Sequence, residues 1–349
     1  MGGTRSGAEP DQRGGTRSGA GPMTRVLVTG AGGPAGIAVI RSLRERGDVE
    51  VLAADMDGWA SGLYLVGREC RRLVPPGADP GFVDTVRDLC VRDRIDVLVP
   101  TVDVEMPALA RRRNELLAGG TVVAAPSAAT LEVSQDKLAL ARRCDGLVRV
   151  PVTTLLDVEA AAWSWRFPVI VKPRRGAGSR GVVTVASAAE LRALATAATD
   201  DSLLVQEFLP GEEYSVDVLA DADGRIVAAV PRVRARVDSG VSVAGRTMHE
   251  PSLEKTASAV ATAIGLVGVA NVQLRRDTEG EPALLEVNPR FAGAMPLTRA
   301  AGVDLPSLAL DLALGRPLPE QIDFVELAVV RHLEDVFVAP GEILVGPPE

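Results

Sequence analysis

Carboxylate and amide side chains are predicted to converge on a short hairpin near the C-terminal end of the chain. Two apolar-rich runs within residues 271–290 flank a turn that contains Gly280, which supplies the positive φ that closing strands need. Because side chains alternate along a strand, Glu286 and Asn288 project to one side of the second strand, and Gln273 can face them. Hard oxygen donors of this kind, with room for water and phosphate, suit Mg²⁺ held jointly by protein and nucleotide. A solvated surface hairpin is the alternative for this segment taken alone.

A β-branched run, one lysine and a glycine-rich loop lie upstream of this hairpin. Residues 168–181 read PVIVKPRRGAGSRG, in which Lys172 precedes three glycines. Glycine lets backbone N–H groups approach phosphate oxygens closely, and a lysine at the base of the loop adds a compact positive charge. The loop is neither a Walker A sequence nor a kinase loop, so by itself it predicts either a phosphate-binding loop or an ordinary turn.

Residues 203–217, LLVQEFLPGEEYSVD, predict a strand, a short Pro-Gly turn and a second strand. In this order the three segments resemble the ATP-grasp superfamily, most closely the ATP-grasp halves of the carbamoyl phosphate synthetase large subunit and the carboxylate–amine ligases related to it. The resemblance extends from about Met23 to about Val338. It implies ATP and Mg²⁺ as cofactors, with Mn²⁺ as an alternative ion.

The resemblance also implies a nucleotide site. Lys137, in the segment SQDK, and Lys172 would reach the phosphates. Gln206 and Glu207 match the hinge that reads the adenine, and Glu213 matches the acid that binds the ribose hydroxyls. The implied ATP-binding residues are Lys137, Lys172, Gly176, Gly178, Ser179, Gly181, Gln206, Glu207, Phe208, Leu209 and Glu213.

The metal and catalytic residues follow from the same resemblance. Gln273, Glu286 and Asn288 match the metal set of the family, although many ligases of the superfamily carry aspartate where Gln273 stands. The synthetase halves use glutamine there, so the difference points to a place within the family. Arg290 matches the arginine that faces the transferred phosphoryl and acyl groups, and Arg290 and Lys172 are the implied catalytic residues.

Residues 231–247 occupy the place where the family positions its acceptor or acyl substrate. Arg232, Arg234, Arg236 and Arg246 alternate in a way that could put a guanidinium fork on a carboxylate. A solvated strand face is the alternative for at least half of them. We select Arg236 and Arg246 as the substrate-binding residues.

The chemistry that the resemblance implies is an ATP-dependent carboxylate–amine ligase reaction. A small carboxylic acid or amino acid would attack the γ-phosphate to give an acyl phosphate. An amine nucleophile would then open it, forming an amide or peptide-type bond and releasing ADP and phosphate. Phosphoryl transfer depends mainly on alignment and charge neutralisation, so the residue types present suffice.

The N-terminal part supports a rival function. From Thr24 the sequence reads as strand, glycine turn, helix and strand, in which Gly30, Gly32 and Ala35 fit the G-x-G-x-x-[GA] fingerprint and Asp55 ends the second strand. An NAD(P)-dependent oxidoreductase is therefore one alternative, and a non-catalytic nucleotide-binding protein is another. Since the ATP-grasp resemblance brings its own Rossmann-like domain, we interpret these glycines as backbone packing, with a contact to substrate left open.

The predicted fold is mixed α/β and α+β. Strands at 96–100 and 121–125, separated by a helix over 107–117, predict a parallel sheet. We expect a Rossmann-like pre-ATP-grasp domain at 23–125, and a two-lobed ATP-grasp domain at 126–349 with a lid at about 144–205. Residues 1–22 contain GGTRSGA twice and offer no apolar residues to build a core, so this extension is predicted to be disordered.

The composition of the chain argues against some classes of binding partner. The net charge of −8 and the lack of a long basic stretch argue against nucleic acid, and no apolar run is long enough to span a membrane. Cys70, Cys90 and Cys144 lack metal-ligand spacing and predict reduced thiols in a cytoplasmic protein. The sequence leaves a homodimer open.

Overall fold

The structure, a computed structural model, describes residues 23–176, 178, 180–238 and 240–345. The predicted disordered extension at residues 1–22 and the predicted loop residue Ser179 lie outside the described residues. Within the described residues, no helix is both long and apolar enough to cross a bilayer.

The first sheet, called the N-terminal sheet, has five parallel strands in the order β3-β2-β1-β4-β5. Its strands are β1 Thr24–Thr29, β2 Val49–Asp55, β3 Arg71–Leu73, β4 Val97–Pro100 and β5 Val122–Val123. The neighbouring strands β1 and β4 are mainly apolar and buried, as expected for the centre of a parallel sheet that is covered on both faces. From β1 the chain adds β2 and β3 on one side and then returns to add β4 and β5 on the other, so the strand order reverses between β1 and β4.

Four helices connect these strands: α1 Pro34–Arg44, α2 Phe82–Asp93, α3 Met106–Arg111 and α4 Arg113–Ala118. Short 3₁₀ segments follow β2 at Ser61–Leu65 and Arg68–Cys70. The single helix predicted over 107–117 is two helices, because Arg112 leaves the helical region with φ −102° and ψ 17°. Its guanidinium pairs with Asp84 of α2, which ties the break to the neighbouring helix.

Two helices, α5 Ala128–Ser134 and α6 Lys137–Cys144, lead to a second sheet, called the lid sheet. It is four-stranded and antiparallel in the order β6-β9-β7-β8. Its strands are β6 Thr153–Leu155, β7 Val169–Pro173, β8 Val183–Val185 and β9 Leu203–Glu207, with helices α7 Val158–Ala161 and α8 Ala188–Ala197. Val171, Leu191 and Val205 belong to its separate apolar core.

The third sheet, called the large sheet, has six antiparallel strands in the order β14-β13-β10-β11-β12-β15. These are β10 Glu213–Ala220, β11 Ile226–Asp238, β12 Val241–Thr247, β13 Gly268–Arg276, β14 Pro282–Asn288 and β15 Ala328–Val330. The helices of this part are α9 Pro251–Ala263, α10 Met295–Ala300 and α11 Leu305–Ala313, and Pro340–Glu342 is a 3₁₀ turn. The predicted parallel sheet, followed by a small lid and an antiparallel body, is therefore confirmed. The residue limits proposed for the domains remain predictions.

The cores explain how these layers are held together. Leu253, Ala257 and Val260 of α9 pack on Val216 and Val272 of the large sheet. The core of the N-terminal sheet continues without interruption into α10 and α11 through side chains such as Met295 and Leu305. The lid sheet has no such shared core among the described residues, so fewer apolar contacts hold it to the rest.

Candidate active site

The predicted hairpin is present and sets the geometry of the site. β13 and β14 pair antiparallel, with Gln273 opposite Glu286 and Asn271 opposite Asn288. The turn between them contains Gly280 at φ +85°, in the left-handed region that the prediction required. The register shifts directly after Gln273, so the strand bends next to the polar cluster.

The three side chains predicted as the metal set touch one another. Asn288 Nδ2 donates to Glu286 Oε1 at 3.3 Å. With the Gln273 amide oriented to suit its neighbours, its nitrogen lies 3.1 Å from Glu286 Oε1, and its oxygen lies 3.2 Å from Asn288 Nδ2 and 3.1 Å from Arg234 Nη1. One carboxylate thus shares a small volume with two amides, whose nitrogens both lie against Glu286 Oε1.

Both predicted phosphate lysines lie across from this cluster. Lys137 begins α6, and its Nζ lies 3.7 Å from Glu286 Oε2 and donates to Gly176 O at 2.7 Å. Lys172 lies on β7, is 7% exposed, and donates to Gln206 Oε1 at 2.7 Å. Burial lowers the pKa of Lys172 to about 8, and the nearby Lys137 charge acts in the same direction, whereas the carboxylates oppose it.

A cavity of about 190 Å³, called the lid cavity, opens between the lid sheet and the large sheet. It is lined by Lys137, Lys172, Gly176, Gln206, Glu213 and Glu286. The glycine loop forms its edge, and Gly176, Gly178 and Gly181 all have positive φ. A Cβ on Gly181 would also meet Pro173 Cγ at 3.0 Å, so the loop conformation depends on glycine.

Of the predicted hinge residues, Gln206 lines the lid cavity and the following residues lie outside its described lining. Gln206 is buried and faces the lid cavity, where its Nε2 also donates to Thr153 Oγ1 at 2.7 Å. The Glu207 carboxylate accepts from Arg149 Nη2 at 2.6 Å and from Val152 N at 3.0 Å. Phe208 and Leu209 follow β9, and neither belongs to the described lining of the lid cavity. The Glu207 carboxylate therefore holds the hinge to the β6 segment.

A second cavity of about 170 Å³, called the arginine cavity, shares Glu213, Gln273 and Glu286 with the lid cavity. Arg232 and Arg234 line it. Arg232 forms a fully buried fork with Asp217, at 2.9 and 2.8 Å. Arg234 Nη1 lies 3.3 Å from Glu213 Oε1, and its buried Nε has no hydrogen-bond partner among the described residues.

The two arginines selected from the sequence lie elsewhere. Arg236 and Arg246 are exposed and do not belong to the described lining of the arginine cavity. The β11–β12 pairing shifts register between Arg234 and Arg236, so the simple alternation on which the selection depended ends at Arg234. Arg232 and Arg234 are the members of this set that reach the site.

One contact brings the N-terminal part of the chain into the site. Arg290, which follows β14, donates from Nε to Asp103 Oδ2 at 2.8 Å, and its Nη2 lies 3.5 Å from Asn288 Oδ1. Asp103 lies in the loop after β4, and its carbonyl accepts from Gln135 Nε2 at 3.1 Å. Asp103 is a residue that the sequence reading missed, whereas Arg232 and Arg234 were candidates that it placed after Arg236 and Arg246. The signal for Asp103 was its position just after the end of a parallel strand.

The glycine fingerprint near the N-terminus is used for packing. Gly32 N donates to Asp55 Oδ2 at 2.8 Å, so the acid that a dinucleotide site would require already binds its own loop. A Cβ on Gly32 would lie 2.7 Å from Ala60 Cβ, and one on Gly36 would lie 2.2 Å from Gly30 O. These close approaches explain the glycines without a bound dinucleotide.

Two family models match the chain. Residues 26–124 match the family described as PylC-like, N-terminal domain, and residues 199–336 match the family described as ATP-grasp in the biosynthetic pathway with Ter operon. The first range contains nearly all of the N-terminal sheet, and the second contains the whole large sheet. The predicted alternative of an oxidoreductase has no support from these matches.

Two known proteins are similar in sequence to parts of this chain. The carbamoyl phosphate synthase large chain of Thermotoga neapolitana is 29% identical over 231 residues, which are 60% of this chain and 21% of that protein. The D-alanine–D-alanine ligase of Stutzerimonas stutzeri is 32% identical over 180 residues, 45% of this chain and 55% of that enzyme. The chain thus spans about a fifth of the synthase and just over half of the ligase.

A solved structure shares the fold. The biotin carboxylase domain of the Hydrogenobacter thermophilus 2-oxoglutarate carboxylase, solved as a dimer with MgADP and bicarbonate, superposes with a TM-score of 0.71. The sequences are 20% identical, and the match covers 87% of this chain and 73% of that one. At this identity the likeness concerns the fold. The resemblance predicted from three short segments is confirmed, because residues 199–336 match an ATP-grasp family model and residues 26–124 match a PylC-like N-terminal domain model.

Proposed function

We propose that the protein is an ATP-dependent carboxylate–amine ligase that joins a small carboxylic acid or amino acid to an amine through an acyl phosphate. The observation that carries the proposal is the meeting of three chain segments at one point. Glu286 contacts Asn288 and Gln273 on the large sheet, and Lys137 reaches it from α6. Lys172 lines the same cavity from the lid sheet.

ATP would lie in the lid cavity, with its phosphates toward the lysines and the glycine loop. Lys137, Lys172, Gly176, Gly178 and Gly181 are the residues we assign to the phosphates. Gln206 and the backbone of 207–209 are assigned to the adenine and Glu213 to the ribose. We further propose residues 23–125 and 126–349 as the two domains, with the lid at about 144–205.

The donor set fits Mg²⁺ as an ion shared with the nucleotide. Glu286, Asn288 and Gln273 offer one carboxylate and two amide oxygens, and the described residues contain no cluster of three or more acidic, histidine or cysteine ligands. Such a set needs phosphate oxygens to complete an octahedral shell. A bound Mg²⁺ would neutralise phosphate charge as it moves from the γ-phosphoryl group to ADP.

The proposed reaction has two steps. A substrate carboxylate oxygen attacks the γ-phosphorus, the bond to the β-phosphate bridging oxygen breaks, and ADP leaves. The amine nitrogen then attacks the acyl carbon, loses a proton, and phosphate leaves with the bond electrons. Lys172 and Arg290 would offset negative charge in the first step. Closure of the lid sheet would keep water from the acyl phosphate.

The arginine cavity is the proposed place for the carboxylate substrate. Arg234 has a buried Nε that finds no partner among the described residues, and it contacts Gln273, so a bound carboxylate would supply an acceptor beside the predicted metal set. Arg290 lines the same cavity from the opposite chain segment. Arg236 and Arg246 are not part of this proposal.

The deciding experiment is nucleotide product analysis. The protein is incubated with Mg²⁺-ATP and pooled amino acids and small carboxylic acids, and ADP plus phosphate is scored against AMP plus pyrophosphate. Release of ADP that depends on an added amino acid or carboxylic acid supports the proposal. Smaller subsets of the pool then identify that acid. Release of AMP would mean adenylation and would exclude the acyl phosphate route.

We also propose that the protein works in the cytoplasm. Cys70, Cys90 and Cys144 are free and buried, and burial raises the pKa of Cys90 to about 12. Such thiols are inert and need no oxidising compartment. A homodimer remains a proposal, and light scattering after gel filtration tests it.

A further inference from the structure

A cavity of about 320 Å³ lies between the N-terminal sheet and the large sheet. We call it the junction pocket. Its walls come from the ends of β4 and β5, from α4, from the start of β13 and from α11, and representative lining residues are Pro100, Arg113, Ala124, Val269, Phe291 and Leu312. Ligands of α/β proteins bind preferentially at the carboxyl ends of parallel strands and at domain junctions, and the junction pocket is both.

The junction pocket is mainly carbon-lined and open to solvent on one side. Met106 and Phe291 are 1% and 3% exposed and form part of its inner wall. Leu117 and Val267, at its rim, remain 57% and 38% exposed. Exposed apolar side chains that border a concave apolar wall favour a ligand with hydrocarbon surface.

Arg113 gives the junction pocket its charge. Its Nη2 donates to Ala125 O at 2.6 Å and lies 3.4 Å from the carbonyl oxygens of Val123 and Pro126. No acidic residue in the described part of the chain forms an ion pair with Arg113, and the described lining of the pocket contains no carboxylate. Partial burial lowers the pKa of this guanidinium, as expected for a cation without a counter-charge.

The second cation in the wall is already paired. Arg290 also lines the junction pocket, and its Nε binds Asp103. Arg113 is therefore the group that an anionic ligand would neutralise. Because Arg290 lines the arginine cavity as well, a ligand in the junction pocket would touch a residue of the candidate active site.

We propose that the junction pocket binds a small carboxylate with a mainly hydrocarbon body, whose carboxylate pairs with Arg113. The hydrocarbon part lies against Phe291 and Leu312, and the carboxylate accepts from the guanidinium nitrogens that the three carbonyls leave free. A phosphate or a sugar does not match this lining, because the only polar side chains in the described walls are those of Arg113, Asn114 and Arg290, and Arg290 is already paired. The ligand could be a substrate of the ligase or an effector, and the same chemistry serves both.

The test is a calorimetric titration of the full chain, saturated with Mg²⁺-ADP, with acetate, hexanoate and 4-phenylbutyrate as probes. Mg²⁺-ADP occupies the lid cavity, and the pocket variants described below distinguish binding in the junction pocket from binding in the arginine cavity. We expect affinity to rise from acetate to 4-phenylbutyrate, with a dissociation constant of about 1 mM or tighter for the larger probes. Hexanamide, which lacks the charge, should bind about tenfold more weakly.

Two variants and one control decide the site. Arg113→Gln should weaken hexanoate binding at least tenfold, since it removes the charge and keeps a donor for Ala125 O. Ala313→Phe fills the pocket from α11 and should abolish binding. Arg111→Gln changes an exposed arginine of the preceding helix and should leave binding unchanged. Hexanoate affinity that is unaffected by both pocket variants, or absent in the wild type, would overturn the proposal.

Turnover with Mg²⁺-ATP and a pool of amines shows whether the ligand is a substrate or an effector. Consumption of the probe with ADP release identifies a substrate, whereas an unchanged probe that alters the KM for ATP identifies an effector. The pocket itself is decided by the hexanoate affinities of the two pocket variants. Because binding is measured without turnover, failure of the ligase proposal leaves this inference separately testable.

Discussion

Asp103 accepts a hydrogen bond from Arg290 Nε at 2.8 Å, and this ion pair joins the N-terminal sheet to the end of the β13–β14 hairpin. The two residues are 187 positions apart in the chain. Arg290 Nη2 faces Asn288 Oδ1, so the same guanidinium contacts the predicted metal set. Asp103 of the N-terminal part therefore helps to orient the Arg290 guanidinium, which belongs to the ATP-grasp part.

Asp103→Asn should lower kcat about tenfold, with the KM for ATP within about twofold of the wild type. The substitution removes the charge that fixes Arg290 but keeps an oxygen acceptor in place. Initial rates of ADP release over a range of ATP concentrations measure both constants. Asp88→Asn, at an exposed pair with Arg87, is the matched control. An unchanged kcat would show that Arg290 needs no partner from the N-terminal part.

Glu286→Gln should reduce acid-dependent ADP release by about a hundredfold or more, because it removes the one carboxylate of the predicted metal set. The side chain is nearly isosteric and the strand pairing with Gln273 is retained, so the melting temperature should change little. Glu279→Gln, in the exposed turn of the same hairpin, is the control and should keep full activity. Activity retained in Glu286→Gln would remove the metal assignment.

The affinity for ADP should fall as pH rises through the pKa of Lys172. Burial lowers this pKa to about 8, so the folded protein loses the ammonium charge above that pH, and phosphate binding loses a cation. Calorimetry between pH 7 and pH 9.5 should show affinity that declines by up to about tenfold per unit above pH 8. Lys172→Arg stays charged over this range and should give a flatter profile, whatever its affinity at pH 7. Parallel profiles for the two proteins would mean that Lys172 does not contact the phosphates.

Local patterns were enough to predict the hairpin and its converging side chains. Gln273, Glu286 and Asn288 meet because strand alternation and a turn glycine leave one register available. The parallel order of the N-terminal sheet followed in the same way from alternating strands and helices. In these cases the relevant contacts are close in sequence or set by a repeated unit.

The contacts that the sequence did not reveal depend on tertiary structure. The strand register shifts after Arg234 and Arg236 is exposed, and no local residue pattern predicts the shift. The Asp103 to Arg290 pair requires the docking of one domain on another, which periodicity does not describe. The Glu207 carboxylate was predicted to read adenine, a role that stays a prediction, and its contact with Arg149 also depends on packing between separate segments.

A buried acid in the N-terminal part should make stability depend on pH. Glu105 is 6% exposed, and burial raises its pKa to about 7, with the Asp55 charge adding to the effect and the Thr29 hydroxyl opposing it. In the unfolded chain the pKa of the group is near its ordinary value of 4.5, so between these two pKa values the folded state holds a proton that the unfolded state has lost. Stability is therefore greatest at low pH within this range and falls as pH rises from about 5 to 8, by at most about 3 kcal/mol.

Glu105→Gln removes this titration and keeps an oxygen that can accept from Thr29 Oγ1. The variant and the wild type should melt at similar temperatures at pH 5, and the variant should melt at least about 3 °C higher at pH 8. Differential scanning calorimetry at the two pH values measures the difference, with exposed Glu132→Gln as the control. Should the gap between the Glu105→Gln variant and the wild type be the same at both pH values, the buried carboxyl would not be the group that links folding to protons.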